Sequence, residues 1–273
     1  MRPIGVFDSG YGGLTVLSDL LKKFPDNDFI YLGDNARTPY GNRSFEVVYN
    51  YTLEAVKALF NMGSPLVILA CNTASAKALR TIQQNNLPLI DPERRVLGVI
   101  RPSVEILGEY TKTRVVGIVG TVGTVASESY PLEIEKLFPD IRTVQEACSM
   151  WVPLVENNEY FSEGSHYFVK KNIEHLFTKA PDIDTLILGC THYPLLLPII
   201  KKYLPSHVQT LEQGPIVAES LADYLKRHPE MNKKCSRNGI CHFYTTENPQ
   251  KFNQTASLFL NSEVEARQLR VYD

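Results

Sequence analysis

Short runs of aliphatic and β-branched residues alternate with longer stretches whose apolar residues recur every three or four positions, along nearly the whole chain. The first kind reads as buried strands and the second as amphipathic helices, which makes this an α/β protein with largely parallel sheets. Ile4 to Phe7 is the first strand, and Leu14, Leu17, Leu20, Leu21 and Phe24 place one apolar face on a helix over 14–24. A strand at Phe29 to Leu32 follows, then a loop over 33–43 and a helix over 44–62. The next strand ends at Cys71, a helix covers 73–85, and Val96 to Ile100 is another strand-like run.

A second series replays the first. Val115 to Val119 is a strand, followed by a helix over 124–138, a strand over 142–145, a helix over 162–178 and a strand ending at Cys190. In both series the first strand leads into a turn of small residues, and a later strand ends in a cysteine. The tail adds helices over 217–226 and 249–260 and strands over 241–245 and 268–271, too little for a third unit. The expected architecture is two pseudo-symmetric α/β domains facing a central cleft: residues 1–97 with 210–273, and residues 98–209.

Cys71 and Cys190 are the chemically informative positions. Each follows a buried strand and precedes residues that open the next helix, Asn72-Thr73 and Thr191-His192, where free N–H groups and the helix dipole favour thiolate over thiol. Two such thiols suit a pair acting from opposite sides of one substrate. Asp8-Ser9-Gly10 ends the first strand at the same sheet edge as Cys71, serving either the site or a plain helix cap. The Gly-rich turn after it lacks both the dinucleotide fingerprint and the phosphate-loop lysine. His192, two residues after Cys190, is placed to assist proton transfer, and Arg37-Thr38-Pro39-Tyr40-Gly41 is a tight turn able to clamp a carboxylate. His166, His175, His207, His228 and His242 read as structural, Cys148 beside Trp151 as interior, and the spacing of Cys235 and Cys241-His242 falls short of a zinc site.

Composition narrows the partner. The 273 residues are 44% hydrophobic and 21% charged, with 28 Lys and Arg against 30 Asp and Glu. An isoelectric point near 6.3 carries no footprint for nucleic acid or an anionic membrane, so a small molecule is the default. No apolar stretch approaches the roughly 18 residues of a membrane span, and Met1 runs directly into the first strand, which fits an unprocessed cytoplasmic protein. Five cysteines, an odd number, fit reduced thiols.

A single base that removes a proton from a carbon beside a carboxylate returns it to the same face; inversion needs an acid on the other face. A thiol, with an ordinary pKa of about 8.5 that a helix start lowers, lets one cysteine be thiolate while its partner stays protonated. Racemisation of glutamate, of aspartate or of another amino acid all fit. So does an amino-acid-binding protein of two lobes, or a hydrolase with Cys71 as nucleophile and His192 as base.

In chain order, Phe7-Asp8-Ser9-Gly10 with Gly12-Gly13-Leu14-Thr15-Val16, Leu32-Gly33-Asp34-Asn35-Ala36-Arg37 with Pro39-Tyr40-Gly41, and Ala70-Cys71-Asn72-Thr73-Ala74-Ser75 resemble motifs of the bacterial glutamate racemases, of the aspartate/glutamate racemase superfamily. Gly120-Thr121 with Gly123-Thr124-Val125, Val152-Pro153-Leu154-Val155-Glu156, and Leu188-Gly189-Cys190-Thr191-His192-Tyr193-Pro194 extend the likeness to about residue 220. The chain departs from it at Thr38 and at Ser149-Met150-Trp151. The resemblance implies a two-base racemase without cofactor or metal that supplies D-glutamate for peptidoglycan, commonly as a homodimer. It makes Cys71 the base toward the D-enantiomer, assisted by Asp8, and Cys190 the base toward the L-enantiomer, assisted by His192. It assigns Asp8, Ser9, Tyr40, Gly41, Asn72, Thr73, Thr121, Thr191 and His192 to the substrate, and Glu156 to an acid near the site.

Overall fold

A computed structural model of the chain describes residues 2–271. Strands β1 (Ile4–Asp8), β2 (Phe29–Gly33), β3 (Leu66–Leu69) and β4 (Arg95–Gly98) lie in one sheet with β9 (Cys241–Thr245) and β10 (Ala266–Gln268), in the order β10-β9-β2-β1-β3-β4. Strands β5 (Val115–Gly120), β6 (Arg142–Ala147), β7 (Thr185–Gly189) and β8 (Gln209–Leu211) form a second sheet, ordered β6-β5-β7-β8. Every pairing is parallel. The replay seen in the sequence is thus a replay of topology. In each sheet the first strand of the series lies between the second and the third, so the connections depart in opposite directions from a switch point where ligands gather.

Both faces of each sheet are covered by helices, as parallel sheets require. Along β1 the pleat sends Ile4 and Val6 into a core with Leu14, Leu17 and Leu20 of the Gly13–Lys23 helix and Val217 and Leu221 of the Gln213–Arg227 helix. Phe7 points the other way, to Val48, Val56 and Leu59 of the Phe45–Asn61 helix, which Ser44 caps by accepting from the Val47 N–H at 3.3 Å. In β5, Val115 and Val119 face the Glu163–Lys179 helix, whereas Val116 and Ile118 face Tyr130 and Ile134. The tail strands extend the first sheet.

Several elements differ from the sequence reading for identifiable reasons. The helix expected over 73–85 is helical over Asn72–Lys77, breaks at Ala78 and passes into a wide π-type turn over Ile82–Asn86. Pro88 follows and has no N–H for the residue 84 carbonyl. The helix expected over 124–138 is two, Val122–Ala126 and Ser129–Leu137, separated at Glu128, which sits in the left-handed region with φ 55. The run Val96 to Ile100 leaves the sheet at Gly98 and is helical from Ile100. The last strand is Ala266–Gln268 rather than 268–271, because Ala266 to Gln268 are the residues in register with Phe243 to Thr245. Pairing of Gln209 to Leu211 with β7 carries the second unit to Leu211, two residues beyond the expected edge at 209.

Candidate active site

Pairing of Phe7 with Leu69 brings Asp8, the last residue of β1, and Ser9 after it beside Ala70 and Cys71, just past β3. Pairing of Gly120 with Gly189 does the same for Thr121 and Cys190. The sheets face each other, so both thiols line one cavity with Ser9, Tyr40, Gly41, Asn72, Thr73, Thr121, Thr191 and His192. All these sequence-selected residues are brought together there. Asp8 and Glu156 stand immediately behind them.

Cys71 is 6% exposed. Its S–H donates to Ser9 Oγ at 3.4 Å, and its sulfur accepts from the Ala74 N–H at 3.5 Å. The expectation of a thiol made more acidic by the helix start is corrected here: burial pushes the Cys71 pKa up to about 12, and the Asp8 charge adds to this, against the smaller opposing pull of Ser9 and the Ala74 N–H. The helix it opens has only six residues, and its short dipole is outweighed by the burial of the sulfur. Burial also raises the Asp8 pKa, opposed chiefly by the charge of His192. One carboxylate oxygen of Asp8, Oδ2, accepts from the Gly10 N–H at 2.9 Å; the other, Oδ1, is buried without a hydrogen-bond partner among the described residues.

Cys190 is surrounded differently. Its sulfur lies 3.7 Å from His192 Nδ1, and His192 Nε2 lies 3.1 Å from a Glu156 carboxylate oxygen. Burial alone lowers the pKa of an imidazole. Hydrogen bonds to Cys190 and Glu156 overcome it, and the His192 pKa is raised well above its ordinary value, so the ring holds its proton between sulfur and carboxylate. His192 makes this contact with Cys190 rather than Cys71, which removes the geometric basis for a Cys71–His192 hydrolase pair.

Small and hydroxyl-bearing residues join the two halves. Thr73 Oγ1 lies 3.0 Å from Thr121 Oγ1 and 3.3 Å from Thr124 Oγ1, and Thr15 Oγ1 donates to the Thr191 carbonyl at 3.0 Å. Gly12 faces Thr191 and His192 so closely that any Cβ there would collide with both. The cavity between the thiols is only about 50 Å³, room for a few waters and far below the roughly 300 Å³ at which ligand pockets begin. The cleft is closely packed in this arrangement. A larger cavity of about 600 Å³, walled by Ser75, Arg80, Arg101, Glu133, Leu221 and Tyr224, contains neither thiol and belongs to the helix junction behind the cleft.

The chain matches the family model described as Asp/Glu/Hydantoin racemase over residues 19–221. It is 39% identical to a glutamate racemase of Roseobacter denitrificans over 96% of this chain and 98% of that one. The chain belongs to the glutamate racemase family. As a racemase it falls among the isomerases. Among solved structures, glutamate racemase RacE1 of Bacillus anthracis superposes with TM-score 0.89 at 33% identity, covering 98% of this chain and 97% of that one. The glutamate racemase of Francisella tularensis in complex with D-glutamate gives 0.87 at 31%, covering 99% and 98%.

Within this family fold, some expectations change in detail. Tyr40 reaches the cavity wall, but its hydroxyl donates to Asp34, which also holds Arg37 at 2.7 Å, so the phenol O–H stiffens the loop rather than standing free as a clamp. Cys148, read as interior, is buried and also lines the cavity, since pairing of Ala147 with Gly120 sets it across β5 from Cys190. Gln213, absent from the sequence reading, is buried within hydrogen-bonding reach of Asn72. The sequence reading begins that helix at residue 217, which leaves Gln213 outside every predicted element, whereas in the structure it is the first residue of the helix.

Proposed function

We propose that this protein interconverts L- and D-glutamate by a two-base mechanism needing no cofactor, and that it supplies D-glutamate for peptidoglycan in the cytoplasm. The observation that carries the proposal is the pair of buried thiols at corresponding strand ends of two sheets, lining a single cavity. In the L-to-D direction the Cys190 sulfur takes the α-proton, forming S–H. The electron pair left on the α-carbon delocalises into the substrate carboxylate, and Cys71 delivers its proton to the opposite face. The reverse direction exchanges the roles. Hydroxyl and amide donors around the carboxylate, with water excluded by closure, stabilise the charge that develops there.

Each thiol has its own proton manager. His192, kept protonated by Glu156, gives Cys190 an N–H; Asp8 stands behind Cys71, and its unpartnered oxygen suits the substrate ammonium group. Names and structures of relatives support glutamate over aspartate as substrate. The test is circular dichroism of L-glutamate with reduced protein in D2O, followed by proton NMR of the α-position. Loss of optical signal together with α-deuteration is expected; a folded protein that changes neither would overturn the reading.

A further inference from the structure

Asn72, Tyr130 and Gln213 form a closed ring of hydrogen bonds, and each is buried. The Tyr130 O–H donates to Asn72 Oδ1 at 2.8 Å, Asn72 Nδ2 donates to Gln213 Oε1 at 2.5 Å, and Gln213 Nε2 donates to Tyr130 Oη at 2.8 Å. All three bonds run in the same sense around the ring, so each strengthens the next. The second N–H of the Gln213 amide is directed at Ser103 Oγ, 3.0 Å away, and the Val99 carbonyl, 3.2 Å away. Among the described residues, the second N–H of the Asn72 amide has no other partner, and Asn72 lines the cavity between the thiols.

The ring has a particular place in the chain. Asn72 immediately follows Cys71 in the first unit, whereas Tyr130 belongs to the second, where its ring packs on Gly189 beside Cys190. Val99 and Ser103 lie where the chain first leaves the six-stranded sheet, and Gln213 lies where it returns from β8. One side chain therefore ties together both crossovers, the second unit and the residue after the first thiol.

We propose that Gln213 is a positioning residue: through this ring it fixes the Asn72 amide so that its remaining N–H meets the substrate carboxylate in the closed cleft. The proposal rests on the racemase reading above. Gln213 touches neither thiol and acts only through Asn72. Because the two enantiomers are equal in free energy, any loss in kcat/KM must be the same in both directions, and the informative quantity is the split between KM and kcat.

The experiment measures racemisation by Gln213→Met, Tyr130→Phe and Asn72→Ala, and by the Gln213→Met/Asn72→Ala double variant. Gln213→Met is expected to raise KM for both enantiomers about tenfold with a smaller change in kcat, and Tyr130→Phe to raise it less. In the Asn72→Ala background, Gln213→Met should add less than about twofold, because the partner through which it acts is already gone. A multiplicative loss in that background, or an unchanged KM in a folded Gln213→Met protein, overturns the proposal. Should Gln213→Met fail to fold, Tyr130→Phe, which removes one hydroxyl, carries the same cycle with the same two outcomes. Failure of the wild-type protein to racemise glutamate would instead overturn the racemase reading.

Discussion

The two halves of the cleft deliver their thiols by the same topology and then treat them differently. In the first half the proposed acid-base partner comes from the strand before: Asp8 at the end of β1 lies behind Cys71, and the sulfur's hydrogen bonds among the described residues are to a hydroxyl and an amide N–H. In the second half it comes from the residue two places after the thiol, and Glu156, from the Trp151–Glu156 helix, locks it in its charged form. Where the first half has Asp8, the second has Gly120 at the end of β5. An acid whose pKa burial raises stands beside Cys71, and an imidazole held protonated stands beside Cys190, so the two faces of the cleft carry titratable groups of different kinds. Pseudo-symmetry places the two thiols at corresponding strand ends, and the departure from it gives each thiol different neighbours.

The sharpest way to break this comparison is to remove one thiol at a time. Cys71→Ser and Cys190→Ser are each expected to lower racemisation by about 10²–10⁴. In D2O, Cys71→Ser should still exchange the α-proton of L-glutamate slowly, because Cys190 can take it and return deuterium to the same face. Cys190→Ser should do the same only for D-glutamate. Exchange on both enantiomers by either variant, or racemisation near the wild-type rate, would mean that the faces are not divided between the two sulfurs.

The range of each interaction decides how much of the molecule was legible in the chain. Strand-terminal Cys71 and Cys190, Asp8 and His192 were readable, because an apolar run and the residues at its end form a local pattern. So was the doubling of the unit. The state of Cys71 was not: a short helix start suggests an acidic thiol, and only tertiary burial, which no local pattern encodes, reverses the sign. Side-chain pairings such as Tyr40 with Asp34 and Gln213 with Asn72 were equally out of reach. The first bond takes away the free phenol that the Tyr40 loop offered, and the second recruits a residue that lies ahead of the helix predicted over 217–226.

A smaller effect sharpens the contrast in protonation. Glu156 favours the charged form of His192, so Glu156→Gln lowers the His192 pKa. If catalysis needs the imidazolium, the alkaline limb of the kcat/KM profile then moves to lower pH, by about 1 unit. Asp8→Asn also removes a charge that His192 feels, so it is expected to lower the rate while moving that limb less than Glu156→Gln does. A limb that shifts with Asp8→Asn and stays fixed with Glu156→Gln would exchange the two roles.

The smallest effect concerns stability rather than rate. In the unfolded chain the Cys71 thiol ionises near its ordinary pKa, about 8.5. In the folded protein burial and Asp8 hold it protonated to about 12. Between those values the folded state binds more protons at this site than the unfolded state, so the stabilisation is complete below about pH 8.5 and declines as pH rises toward the folded value. One such proton sets a ceiling of about 1.4 kcal/mol lost per pH unit. Denaturant titrations of reduced protein between about pH 8 and 10 should therefore give a flatter decline for Cys71→Ser than for the wild type. Parallel curves would show that Cys71 ionises as readily folded as unfolded, and the charge contrast between the two halves would then have to rest on His192 alone.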